Sequence, residues 1–103
     1  MKTCITCGMP LSEDGIHDTG LVMAEGPVCI HDSTDGKMKV PQEIFEGGVG
    51  FFLSSVTPGD RSLAERITRK NMKSLPYWQA HPFAELEGSE ASDEEFAEAM
   101  KKL

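Results

Sequence analysis

The chain has 103 residues, a net charge of −7, 39% apolar residues and a mean hydropathy of −0.30, which is enough for one domain with a modest core and too lean for two. No run approaches the roughly 18 apolar residues of a membrane span and no apolar segment follows Met1, so we expect neither a transmembrane helix nor a signal peptide, and a cytoplasmic location. Three cysteines are an odd number, which in a reducing compartment points to metal ligation or free thiols and away from a disulfide framework.

The first informative stretch is Cys4-Ile5-Thr6-Cys7-Gly8-Met9-Pro10. Two cysteines separated by two residues and followed by glycine make a metal-binding knuckle. The chain turns sharply enough for both sulfurs to face one ion, and Gly8 can take the positive φ that such a turn needs. Leu11 should pack beneath it. A thioredoxin-type redox motif would open a helix after the cysteines, and Met9-Pro10 follow too closely for that.

Residues 12–20 are polar and turn-rich, as in a loop. Leu21-Val22-Met23 and Val28-Cys29-Ile30 flank Ala-Glu-Gly-Pro and predict a short β-hairpin that returns Cys29 to the first knuckle. A second turn, His31 to Gly36, ends in an Asp-Gly signal.

Pro41 suits the first turn of a helix containing Ile44, Phe45, Gly48 and Phe52. Gly47, Gly48 and Gly50 each cost such a helix roughly 1 kcal/mol relative to Ala, so it either breaks there or packs closely at its glycines; we expect close packing. Asp60 is a fair N-cap for a helix whose inner face carries Leu63, Ala64, Ile67, Asn71 and Leu75. Leu75-Pro76 should stop it, with Tyr77-Trp78 and Phe83 folding back onto the core. Ser92-Asp93-Glu94-Glu95 fits a capping box for a last short helix striped with Phe96, Ala97, Met100 and Leu103.

The expected architecture is a small α+β fold. A zinc ribbon or knuckle with a β-hairpin occupies residues 1–40, a helical body of two to three helices occupies 41–83, and an acidic tail with a short helix occupies 84–103. That tail carries seven acids against Lys101 and Lys102, a net of −5, whereas residues 60–75 carry five basic residues against Asp60 and Glu65, a net of +3.

Cys4, Cys7 and Cys29 supply three soft ligands at ribbon spacing, and a tetrahedral structural zinc wants a fourth. Asp32 repeats the two-residue gap of the first knuckle. His31 is the chemically better donor for zinc but sits in a tighter loop, one residue short. His17 and His81 are remote reserves. The competing reading is that the three are ordinary buried thiols.

Cys4-x2-Cys7-Gly8-Met9-Pro10-Leu11, Cys29, Asp35-Gly36-Lys37 and Leu75-Pro76-Tyr77-Trp78, taken together, resemble a zinc-ribbon domain family of bacterial and archaeal proteins over roughly residues 3–78. The resemblance implies a structural Zn2+ and a regulatory or scaffolding role, without an assigned activity. The family's fourth cysteine falls on Asp32 here, so the resemblance implies Asp32 as the fourth ligand and a site that departs from four thiolates. Three thiolates and a carboxylate leave about −2 on a divalent ion, to be offset by backbone N–H groups or by Lys37 and Lys39.

The function expected is a non-enzymatic zinc-binding module that engages a protein partner. No phosphate-binding glycine loop, no H-E-x-x-H and no nucleophile motif around Ser54, Ser55 or Ser62 is present. The overall acidity disfavours nucleic acid, although the basic helix at 61–73 keeps that alternative alive. An open catalytic zinc is the other alternative, and it needs a free acid such as Glu25 or Asp35 beside the metal.

Overall fold

The computed structural model describes residues 2–12 and 18–102. Among the described residues, six short strands precede four helices: β1 (Lys2–Thr3), β2 (Pro10–Leu11), β3 (Thr19–Met23), β4 (Gly26–Cys29), β5 (Ser33–Thr34), β6 (Lys37–Met38), α1 (Pro41–Ser55), α2 (Arg61–Lys73), α3 (Pro76–Ala80) and α4 (Asp93–Lys101), with a 3-10 turn at Ala84–Leu86. The strands form three separate antiparallel pairs, β1–β2, β3–β4 and β5–β6. The β3–β4 hairpin is the expected one; the flanking pairs are additional. β5 and β6 are joined by Asp35 and Gly36 at φ 52° and 75°, the doubly left-handed pair of a tight hairpin turn that Asp-Gly favours.

Local signals set the helix starts. Pro41 lies in the first turn of α1, where its missing N–H costs nothing. Asp60 accepts from Leu63 N at 3.0 Å to cap α2. Ser92 and Glu95 form a reciprocal capping box on α4. α1 runs unbroken through its glycines, but only one of the three packs closely: a Cβ on Gly48 would lie 2.9 Å from Thr68 Cγ2 on α2, whereas Gly47 and Gly50 face open space. Close packing is therefore a property of Gly48 alone.

The main core lies between α1 and α2 and is closed by Trp78, Leu86, Ala91 and Ala99. Trp78 meets Tyr77 and Phe83 edge-on, with ring centroids 4.9 Å apart in both pairs. The tail docks on this body. Phe96 and Met100 pack against the core, and Ala91 N donates to the Arg66 carbonyl at 3.0 Å. A second, much smaller cluster of Cys4, Leu11, Val28 and Cys29 lies in the N-terminal third, and Met38 packs against both clusters. This second cluster's four buried side chains, two of them cysteines, with the partly buried Ile5, Cys7, Met9, Leu21 and Met23 packed against them, make a much smaller core than that of the helical body.

Candidate metal centre

The first knuckle is a backbone device. Cys4 N donates to Met9 O at 2.9 Å and Gly8 N to Cys4 O at 2.8 Å, closing a turn in which Gly8 takes φ +79°. Ile5 N donates to Pro27 O at 3.0 Å and holds the knuckle against the β3–β4 hairpin. Cys29 ends β4, and the chain turns at once, with Asp32 N donating to Cys29 O at 3.2 Å. Ser33 Oγ adds a second bond to that carbonyl at 2.9 Å.

The two turns bring one donor atom each from Cys4, Cys7, Cys29 and Asp32 within 4.8 Å of one another, a group that can hold a metal ion. Cys7 Sγ and Cys29 Sγ are 3.7 Å apart, and Cys4 Sγ and Asp32 Oδ2 are 3.8 Å apart. These two separations are close to the edges of a four-coordinate ion's shell, roughly 3.8 Å between sulfurs and 3.6 Å between sulfur and oxygen for metal–ligand bonds of about 2.3 and 2.1 Å.

His31 is exposed and lies outside the group. One residue short of the knuckle spacing, it falls on the outside of the turn that carries Asp32 inward. His17 lies outside the described residues, and His81 stands 3.8 Å from Glu25. Asp35 sits in its exposed hairpin turn, and neither it nor Glu25 belongs to the group.

Charge in the cluster is offset chiefly by groups other than lysine side chains. Cys29 N donates to Cys4 Sγ at 3.2 Å, and Thr6 Oγ1 stands 3.0 Å from the same sulfur while donating to Asp32 Oδ2 at 2.6 Å. Lys39 N donates to the backbone carbonyl of Asp32 at 2.9 Å, which fixes the turn and not the carboxylate.

The four acids perturb one another strongly. Hydrogen bonds from the Cys29 and Cys7 thiols hold the Cys4 thiolate far below the ordinary cysteine range. Cys7 is pushed far up, chiefly by its hydrogen bond with Cys29. Its bond to Cys4 lifts Cys29 to about 11. Burial raises Asp32. Without a cation the cluster therefore retains protons, and a divalent ion would displace them, because ligating thiols and carboxyls must be deprotonated.

Three residues that sequence reasoning did not assign to the site support it. Thr6 lies between the first two cysteines, fully buried. Trp78 Nε1 donates to Thr6 O at 2.9 Å, and Asn71 Nδ2 donates to Cys7 O at 2.9 Å, so α2 and α3 grip the knuckle backbone. The indole of Leu75-Pro76-Tyr77-Trp78 was a sequence signal, although its partner was not. Beside the cluster opens a groove of ≈ 1100 Å³ whose walls include Cys7, Cys29 and Asp32, and which runs along the glycine-bearing side of α1 past Phe51 and Met72.

The basic side chains of α2 are engaged within the molecule. Arg61 pairs with Glu46 at 2.8 Å, Arg66 with Glu95 at 2.7 Å, Lys70 with Asp93 at 2.8 Å and Lys73 with Glu90 at 3.0 Å. Arg69 donates to Glu85 O at 2.9 Å and lies over the Phe45 ring.

Fold and site together define a small α+β protein with a candidate metal centre built from three cysteines and an aspartate. Compared with family models, curated proteins and solved structures, the chain matches none. Among the described residues, no helix is long and apolar enough to cross a membrane.

Proposed function

We propose that the protein is a non-enzymatic zinc-binding module in which Cys4, Cys7, Cys29 and Asp32 hold one Zn2+, and the ion fastens together the two turns of the N-terminal third, which α2 and α3 grip through Asn71 and Trp78, beside a helical body that engages a protein partner. The observation that carries this reading is the convergence of four donors from two separate turns within 4.8 Å of one another, a spacing that a four-coordinate ion can use. The small N-terminal core, with the short two-residue strand pairs β1–β2 and β5–β6, gives the ion a structural task. The C-G-M-P-L run and the Leu75-Pro76-Tyr77-Trp78 segment support kinship with the zinc-ribbon family they resemble. Cytoplasmic residence belongs to the same proposal, resting on three unpaired thiols.

The nucleic-acid alternative loses its motive, because the five basic residues of α2 already face acids, carbonyls or a ring of this chain. The open-site alternative lacks a free acid beside the cluster among the described residues.

Elemental analysis with thiol titration, before and after chelation, tests the proposal. One zinc per chain, three thiols protected in the loaded protein and three reactive ones after chelation are expected. A chain that keeps its fold and takes up no zinc would contradict it.

A further inference from the structure

The three cysteines are not equivalent towards solvent. Cys4 is 1% and Cys29 0% exposed, whereas Cys7 is partly exposed. Cys7 and Cys29 line the groove beside the centre; Cys4 does not. Cys4 is enclosed instead by Thr6 Oγ1 at 3.0 Å and the Cys29 N–H at 3.2 Å. Cys7 Sγ lies 3.7 Å from Cys29 Sγ, at van der Waals contact, about 1.7 Å longer than a disulfide bond.

We propose that Cys7 is a modification site for hydroperoxides that reach it through the groove, with Cys29 as its resolving partner, so that oxidation expels the metal as a Cys7–Cys29 disulfide forms while Cys4 stays reduced. The inference rests on the zinc-site reading for the expulsion and on geometry alone for the pairing.

The chemistry balances with the hydroperoxide as the only oxidant. With the metal bound, Cys7 would be deprotonated as a ligand; this thiolate attacks the outer peroxide oxygen, the S–O bond forms, the O–O bond breaks, and the alkoxide or hydroxide leaves and takes a proton from water. The Cys29 thiolate then attacks the Cys7 sulfur and displaces hydroxide, which is also protonated. Two thiolates, one hydroperoxide and two protons give one disulfide, one alcohol (or water) and one water. The sulfur pair loses the two electrons that the O–O bond gains. Cys4 and Asp32 alone remain as ligands, too few to retain a structural zinc.

The test uses the full chain, loaded with zinc and treated with hydrogen peroxide. Released zinc is followed with a chromogenic chelator, remaining thiols are alkylated, and the chain is cleaved at Asp18, between Cys7 and Cys29, for fragmentation by mass spectrometry. One zinc released per disulfide, a Cys7–Cys29 linkage and an alkylated Cys4 are expected, with thiol reductant plus zinc restoring the starting state. A disulfide that includes Cys4, a linkage between chains, or zinc lost with all three thiols intact would overturn the proposal. If the chain holds no zinc before treatment, the zinc-site reading fails. The same oxidation of the metal-free protein then decides the pairing by itself: a Cys7–Cys29 linkage upholds it and any other overturns it.

Discussion

Thr6 Oγ1 donates to Asp32 Oδ2 at 2.6 Å, and both residues are buried. The hydroxyl holds the carboxylate that is the one oxygen donor in the candidate centre. Replacing Thr6 by the isosteric Val keeps the volume and removes the donor. We expect Thr6→Val to weaken zinc binding by about 10–100-fold, the usual cost of losing a group that orients a metal ligand, while Thr6→Ser stays near the parent. Competition against a chelator of known affinity measures this; equal affinities for the parent and the Val variant would show that the bond does not position Asp32.

The centre is also held by the helical body. Trp78→Phe removes the indole N–H that Thr6 O accepts, leaving a buried carbonyl without that partner at a cost of about 1–3 kcal/mol. Denaturant unfolding of the zinc-loaded variant should show that loss. A change within about 0.5 kcal/mol, the range of inconsequential surface substitutions, would mean that the carbonyl finds another donor.

The glycines of α1 should respond with opposite signs. Gly47→Ala and Gly50→Ala place a methyl in open space and should each stabilise by up to about 1 kcal/mol through helix propensity. Gly48→Ala forces a Cβ to 2.9 Å from Thr68 Cγ2, and Thr68 is itself anchored through its hydroxyl to Ala64 O at 2.7 Å. That variant should be destabilised by about 1–3 kcal/mol, as overpacked sites are. Thermal melts of the three variants check the signs, and a stabilised Gly48→Ala would refute close α1–α2 packing.

What the sequence displayed and what it hid divide along contact range. Pro41, Asp60 and the Ser92–Glu95 box act within one helical turn, so their residue types reveal the helix starts. The three cysteines and the Asp32 gap are visible as spacing for the same reason. Trp78 and Thr6 are 72 residues apart, and Asn71 and Cys7 are 64 apart; nothing local to either member reveals such a pair. The β1–β2 and β5–β6 pairs are two residues per strand, too short for alternation to register. Gly47, Gly48 and Gly50 read alike in sequence, and only the path of α2 distinguishes the middle one. The choice between His31 and Asp32 turned on which side of a tight turn each faces.

The tail should loosen in acid. Lys70 holds Asp93 below its ordinary 3.8, and the Ser92 N–H, with Arg66, holds Glu95 below its ordinary 4.5. Groups depressed by folding contribute stability above their unfolded values and lose it as pH falls through the folded ones. Docking of α4 is therefore expected to be intact at pH 6 and to weaken progressively below about pH 4.5. Amide exchange at Ala99 and Met100, compared with an Asp93→Asn/Glu95→Gln double variant at each pH, isolates this from metal loss. Protection in the parent that follows the variant's at every pH would show that these carboxylates do not hold the helix.

X-ray absorption at the zinc edge of the loaded protein tests the proposed centre most directly. Three sulfur scatterers at about 2.3 Å and one oxygen at about 2.0–2.2 Å are expected, without the outer-shell pattern of an imidazole ring, and Asp32→Cys should convert this to four sulfurs. A shell containing histidine would put His31 or another imidazole in place of Asp32, and fewer than three sulfurs would contradict the centre as described.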